Sequence, residues 1–290
     1  MRQPLLFKFF ACSLVLLFLS ACSMNKVMVN ASLPMIEGGI ESMNQETDLQ
    51  LAEDSMPANI SMLKGLIYID PENVQLHIYA AQAYYGLSYG FNEDKNTKRA
   101  GDFYQRGLEH GLTALELIGM QNVKNLKPDE LEKQLQILVK DDVAALFWTA
   151  SNWAKWIDLN RDDAASLIQL SKPTAMMQRV LELDESFYYG SAHLYFGVYY
   201  GARSPMFGGD FNKSRYHFNK AREITDNKLL IADLLQAQYL SRQMYDQNDF
   251  HQRLTAIVNT PDDFYPELGL LNQIAKRKAK LLLDKEKQWF

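Results

Sequence analysis

Two stretches decide the fold of this chain: His77-Ile78-Tyr79-Ala80-Ala81-Gln82-Ala83-Tyr84 and His193-Leu194-Tyr195-Phe196-Gly197-Val198-Tyr199-Tyr200. Each puts a histidine four residues before a small residue and an aromatic three residues after it. Ala150 with Trp153 repeats the second half of the pattern. At helical periodicity these positions share one face. A small side chain there lets a second helix approach closely, and the aromatic fills the gap to the next pair. The partner helices carry small, large, small at i, i+4, i+7: Ala58-Met62-Gly65, Ala100-Tyr104-Gly107 and Ser214-Phe218-Ala221. Self-similarity of this kind, helix pair after helix pair, is the logic of a helical-repeat solenoid.

Working outward, the apolar residues recur at helical spacing from about residue 46 and β-branched alternation is scarce. Helix starts are marked at Met56-Pro57, Asp70-Pro71-Glu72, Lys127-Pro128-Asp129-Glu130, Asp162-Asp163, Ser171-Lys172-Pro173 and Asp262-Asp263. The expectation is an all-α, tetratricopeptide-like helical-repeat solenoid of antiparallel pairs over residues 46–290. The helix from Glu267 to Glu286 carries five basic residues and is read as a cap sealing the last repeat rather than as a helix lying on a membrane. Two segments, Ser88–Lys98 and Ala202–Asn212, are longer than a standard repeat allows, and long loops in a compact solenoid are more often functional than accidental.

Upstream of the repeats, Arg2 and Lys8 precede an apolar run from Phe9 to Leu19, which leads into Leu19-Ser20-Ala21-Cys22. Basic, apolar and small-residue segments in that order are an export signal, and the run is too short to span a bilayer. The tetrad resembles the lipobox of bacterial lipoproteins, which implies cleavage after residue 21 and acylation of Cys22. Ser23 then points to the outer membrane rather than the inner. Residues 22–45, with Gly38-Gly39 and little periodicity, read as the lipidated cysteine and a tether.

The chemistry-bearing motifs are few. The 290 residues include 30 basic and 35 acidic side chains, so a net charge of −5 offers no basic face for nucleic acid. Two cysteines make no disulfide framework or zinc module, and the five histidines fall in no zinc spacing. There is no G-x-S-x-G elbow or phosphate loop. Asp141-Asp142 and Asp162-Asp163 read as first-turn charges. No catalytic residue, metal or cofactor is expected, and the chain reads as a non-enzyme. The aromatic load is what stands out. Tyr195 and Tyr199 share one helix face and Phe196 and Tyr200 a neighbouring one, so they cannot all line a single groove. Tyrosine suits half-buried pocket walls. Tyr84, Tyr89, Phe91, Trp153, Tyr200, Arg203 and Phe207 are the candidate ligand- or partner-binding residues, with Arg203 at the rim for an acidic head.

Together with the lipobox and the degenerate repeats, the segment Gly208-Gly209-Asp210 leading into Ser214, Phe218 and Ala221 resembles the T-component lipoproteins (TatT) of tripartite ATP-independent periplasmic (TRAP) transporters. The resemblance covers residues 46–285. It implies a lipid-anchored, periplasm-facing helical-repeat protein that meets a periplasmic solute-binding protein carrying an apolar, acid-bearing ligand. It also implies homotrimers with a channel through each subunit. The alternative, from a different class, is a scaffold lipoprotein in envelope assembly that uses its concave face to bind proteins.

Overall fold

The computed structural model describes residues 4–290, with side chains from Met24 onward apart from residue 25. The expected signal segment and Cys22 lie outside the residues whose side chains are described. Fourteen α-helices follow one another, with short 3₁₀ and π turns between them and no strand among the described residues.

The first helices are α1 (Pro4–Gln45), α2 (Leu49–Ile69), α3 (Val74–Leu87), α4 (Thr97–Leu117), α5 (Pro128–Leu135), α6 (Val143–Leu159) and α7 (Ala164–Ile168). The chain continues through α8 (Ser171–Asp184), α9 (Phe187–Gly201), α10 (Phe211–Ile224), α11 (Ile231–Leu235), α12 (Gln247–Asn259), α13 (Gly269–Leu283) and α14 (Glu286–Trp289). Their starts follow the polar caps. Asp48, Asn73, Asn96, Asp163, Asp210 and Asp246 each accept from backbone N–H groups in the first turn that follows. Pro57 does not start a helix as its position suggests. It sits inside α2, where the buried face of Ala52, Ile60 and Leu63 spans both halves and outweighs the one backbone hydrogen bond that proline removes.

Residues 24–45, expected as a tether, continue α1. Val29, Leu33, Ile36 and Ile40 form a stripe at helical spacing, and Val29 and Ile36 are buried with Leu63, Leu76 and Tyr79. Polar contacts hold the same face: Lys26 Nζ lies 2.9 Å from Glu72, and the Tyr79 hydroxyl donates to Glu37 at 2.7 Å. The glycine pair and the many serines and asparagines hid this stripe in the sequence.

Consecutive helices pack as hairpins, α3 with α4 and α9 with α10 most extensively, while α6 packs between α4 and α8. Their small residues sit where close approach demands them. A Cβ on Gly197 would meet the Phe218 ring at 2.8 Å, and one on Gly111 would meet the Thr149 backbone at 2.9 Å. Asn152, fully buried on α6, donates to the carbonyls of Ala81 at 3.0 Å and Trp148 at 2.8 Å, tying α6 to α3. Asn152→Ala removes both donated hydrogen bonds and the buried side chain that joins α6 to α3, so chemical denaturation should show a loss of about 2 kcal/mol. An unchanged midpoint would contradict this role.

The C-terminal helix α13 does more than end the solenoid. It packs on α12 and also reaches back to the first repeats, where Ile274 lies against Gly90 and Lys278 Nζ meets Asp94 at 2.9 Å. Arg277 donates to the Gly90 carbonyl, and Lys276 donates to the Thr260 carbonyl at 2.7 Å. These three cations bind the fold to itself. The helices therefore curve around an interior space that α13 helps to close.

Candidate functional site

That space is a cavity of about 630 Å³ whose lining comes from α1, α2, α3, α6, α7, α8, α9, α11 and α13 and from the π turns after α3 and α11. Its α1–α2 side is apolar, with Met35, Met43, Met56 and Met62 beside Ile36 and Leu63. Its other side is aromatic and polar. On α6, Ser151, Lys155 and Asp158 line it at i, i+4, i+7. On α9, Ser191, Tyr195 and Tyr199 line it, and Arg203 does so just past the helix end.

The start of α9 is bent to serve this wall. Tyr188, Tyr189 and Gly190 have φ of 44°, 63° and 71°, three left-handed residues in a row, and two of them are not glycine. Such a conformation costs about 1 kcal/mol or more per non-glycine residue. It turns the Tyr188 ring onto Trp148, with centroids 4.7 Å apart, and Phe147 lies beyond at 5.7 Å. Burial raises the Tyr188 phenol above the ordinary tyrosine range, so it stays protonated. Burial does the same to Tyr195, whose hydroxyl is within 2.7 Å of that of Thr174.

The cations of the lining differ in their partners. Lys155 Nζ sits 2.8 Å from Glu93 and 3.4 Å from Asp158. Burial opposes its charge, but Glu93, Tyr239 and Asp158 outweigh burial and hold its pKa well above the usual lysine value. Arg161 pairs with Asp158. Arg203 makes no ion pair among the described residues. Its guanidinium donates to the Tyr199 carbonyl at 3.0 and 3.3 Å and lies 4.0 Å over the Tyr199 ring. It is a half-buried cation, fixed in place, with donors to spare.

Of the residues singled out in the sequence, Tyr89 and Arg203 line the cavity. Tyr84, Phe91, Trp153 and Tyr200 do not. Tyr84 stacks on His110 at 5.8 Å inside the α3–α4 hairpin, and Tyr200 stacks on His217 at 5.9 Å inside the α9–α10 hairpin. Trp153 is fully buried, its indole N–H donating to Gln169 at 3.0 Å. Phe91 is buried beneath Arg277. Phe207 is 74% exposed beside Met206 at 87%, on the loop that follows Arg203. Sequence reasoning missed Tyr85, Lys155, Asp158, Arg161 and Tyr239. The stripe Ser151-Lys155-Asp158 on a helix otherwise rich in tryptophan was the available signal.

Among the described residues no cluster of three or more histidine, cysteine or acidic side chains could hold a metal, and no helix is long and apolar enough to cross a membrane. Fold and site together define a class, an all-α helical-repeat protein built around an interior cavity. The chain belongs to the TRAP transporter T-component family, whose family model matches residues 45–290. No curated protein matches it. Membership makes it an accessory subunit associated with TRAP transporters rather than a member of a known enzyme family, and points to the bacterial envelope.

Proposed function

We propose that this subunit assists uptake by holding an apolar, acid-bearing solute in the interior cavity. The observation that carries the reading is a mostly apolar space of about 630 Å³ with one arginine, Arg203, that no carboxylate among the described residues neutralises. A buried apolar body with a few placed polar groups is the usual build of a small-molecule site. The acid group pairs with Arg203, where charge-assisted hydrogen bonds are strongest, and the tail lies against the methionine-lined side. The adjacent exposed pair Met206 and Phe207 suits contact with a periplasmic solute-binding protein as solute passes between the two. Acylation at Cys22, residence at the outer membrane facing the periplasm and assembly as a homotrimer complete the proposal.

The test is titration with cis-parinarate, an apolar carboxylate that fluoresces more strongly in apolar surroundings. Saturable binding is expected, weakened about tenfold by Arg203→Ala, or roughly 1.4 kcal/mol. Equal binding by the variant would remove Arg203 from the acid end. Without saturable binding, the scaffold reading, with protein partners alone, takes its place.

A further inference from the structure

Some buried tyrosines in this fold have a hydrogen-bond partner. The Tyr104 hydroxyl donates to Glu93 at 2.6 Å, that of Tyr79 to Glu37 at 2.7 Å, and Tyr195 meets Thr174. Three tyrosines close together on the cavity wall have none. The Tyr89 hydroxyl is buried with no partner among the described residues, and Tyr85 and Tyr239 likewise make no hydrogen bond among them. They come from different elements, α3, the π turn that follows it, and the π turn Gln236–Ser241 after α11, yet they converge around Lys155. The Tyr85 and Tyr89 rings stack at 6.0 Å, and Lys155 Nζ lies 5.7 Å from the Tyr89 centroid.

A buried hydroxyl without a partner carries its full desolvation cost, and phenylalanine would fill the same space without it. Tyr89 carries that cost, and with the unpaired hydroxyls of Tyr85 and Tyr239 on the same wall it forms a set of donors arranged for an acceptor. The charge around them sets what kind. Lys155 already meets two carboxylates, Glu93 and Asp158, and Lys278, 4.7 Å from the Tyr89 centroid, meets Asp94 and Glu93. Each cation there has a carboxylate partner, with Arg161 on Asp158 and Arg277 on Asp94, so what is left to satisfy is the phenolic O–H groups, and a neutral oxygen does so without drawing a cation from its carboxylate.

We infer that Tyr85, Tyr89 and Tyr239 form an inner polar site that takes a neutral, hydrogen-bond-accepting oxygen on the body of the solute. The preferred solute is then an oxo- or hydroxy-substituted apolar acid rather than a plain alkanoate. This rests on the proposed function, since it concerns the far end of a molecule whose acid group is held at Arg203. A site built to hydrogen-bond a substituent discriminates strongly against the analogue that lacks it, because its own groups are then left unpaired.

The experiment is calorimetric titration of the full chain in phosphatidylcholine nanodiscs, with empty discs as the blank, using octanoate, 7-oxo-octanoate and octanedioate. The oxo acid is expected to bind at least tenfold more tightly than octanoate. Tyr85→Phe/Tyr89→Phe/Tyr239→Phe should abolish that preference while leaving octanoate binding within about twofold. Arg203→Ala should weaken both monoacids alike. Tyr89→Phe alone should leave the melting temperature of the ligand-free protein unchanged or raised, which identifies a hydroxyl kept for a ligand rather than for the fold. Equal affinity for octanoate and its oxo derivative overturns the inner site while leaving the cavity's function standing. Tightest binding of octanedioate overturns the neutral-acceptor assignment. Binding of none of the three overturns the proposed function and the inner site with it.

Discussion

Gly209→Ala is expected to destabilise the protein by about 3 kcal/mol, more than its neighbour Gly208→Ala, and to weaken solute binding as well. The two glycines look interchangeable in sequence but are required for different reasons. Gly208 has φ of +83° with open space around its Cα, so alanine there meets only the backbone penalty of a left-handed residue, about 1 kcal/mol. At Gly209 a Cβ would run into the carbonyl oxygen of Arg203 and the backbone carbon of Ser204. No rotamer change relieves a clash with backbone. The loop that would have to move is held by the Gly209 N–H to the Ser204 carbonyl at 3.1 Å and the Asp210 N–H to the Tyr200 carbonyl at 3.0 Å. Asp210 in turn caps α10 by accepting from the N–H groups of Asn212 and Lys213. The segment Gly208-Gly209-Asp210 therefore seats the C-terminal end of α9, the mount of Arg203, against the start of α10. Urea denaturation of the two single variants orders the effects. A Gly209→Ala midpoint at or above that of Gly208→Ala would refute the packing argument.

The same local logic explains what the sequence disclosed. Helix starts were legible because asparagine and aspartate caps act within one turn, and the hairpins were legible because a small residue three positions before an aromatic has a single geometric use. That use also explains the misplaced site residues. Tyr84 and Tyr200 occupy the aromatic position of the repeat, which faces the partner helix of the same hairpin, so they stack on histidines within it. A step of one residue rotates the side chain by about 100°. Tyr85 and Tyr199, the neighbours of those two, are turned out of the hairpin seam and line the cavity. Nothing local says that the solenoid curves back until α13 touches the first repeats. That closure depends on Ile274, Arg277 and Lys278 meeting Gly90 and Asp94 across more than 180 positions, and it sets which face is interior. For the same reason nothing in the local sequence marks Lys155 or Arg161 as facing an interior.

Acidification should destabilise the protein through two histidine pairs that the fold builds in matching places. His77 Nδ1 lies 3.1 Å from His110 Nδ1 between α3 and α4, and His193 Nδ1 lies 2.9 Å from His217 Nδ1 between α9 and α10. The outer nitrogen of each first histidine meets an acceptor, the Pro71 carbonyl at 3.0 Å or the Glu185 carboxylate at 3.4 Å. An acceptor there fixes the proton on Nε2 and leaves Nδ1 bare, so His110 and His217 must donate their Nδ1–H across each pair. A proton added to His77 or His193 would set two N–H groups against each other. Burial, then the facing histidine, then Lys64 for one pair and Lys213 for the other push His110 and His217 down to about 4. Burial also lowers His77 and His193. With folded values below the unfolded value of about 6.5, the unfolded chain binds more protons between those limits, so stability falls as pH drops through that window and this contribution is fully lost below about pH 4. The expected loss is on the order of 2–3 kcal/mol per pair. Urea midpoints measured from pH 7.5 to 4 read it directly. The His110→Gln/His217→Gln variant, which keeps a donor amide and removes the titration, should show about half the wild-type slope. A variant slope equal to the wild type would assign the acid sensitivity to the carboxylates instead. The repeat would then owe these histidines only their packing against Tyr84 and Tyr200.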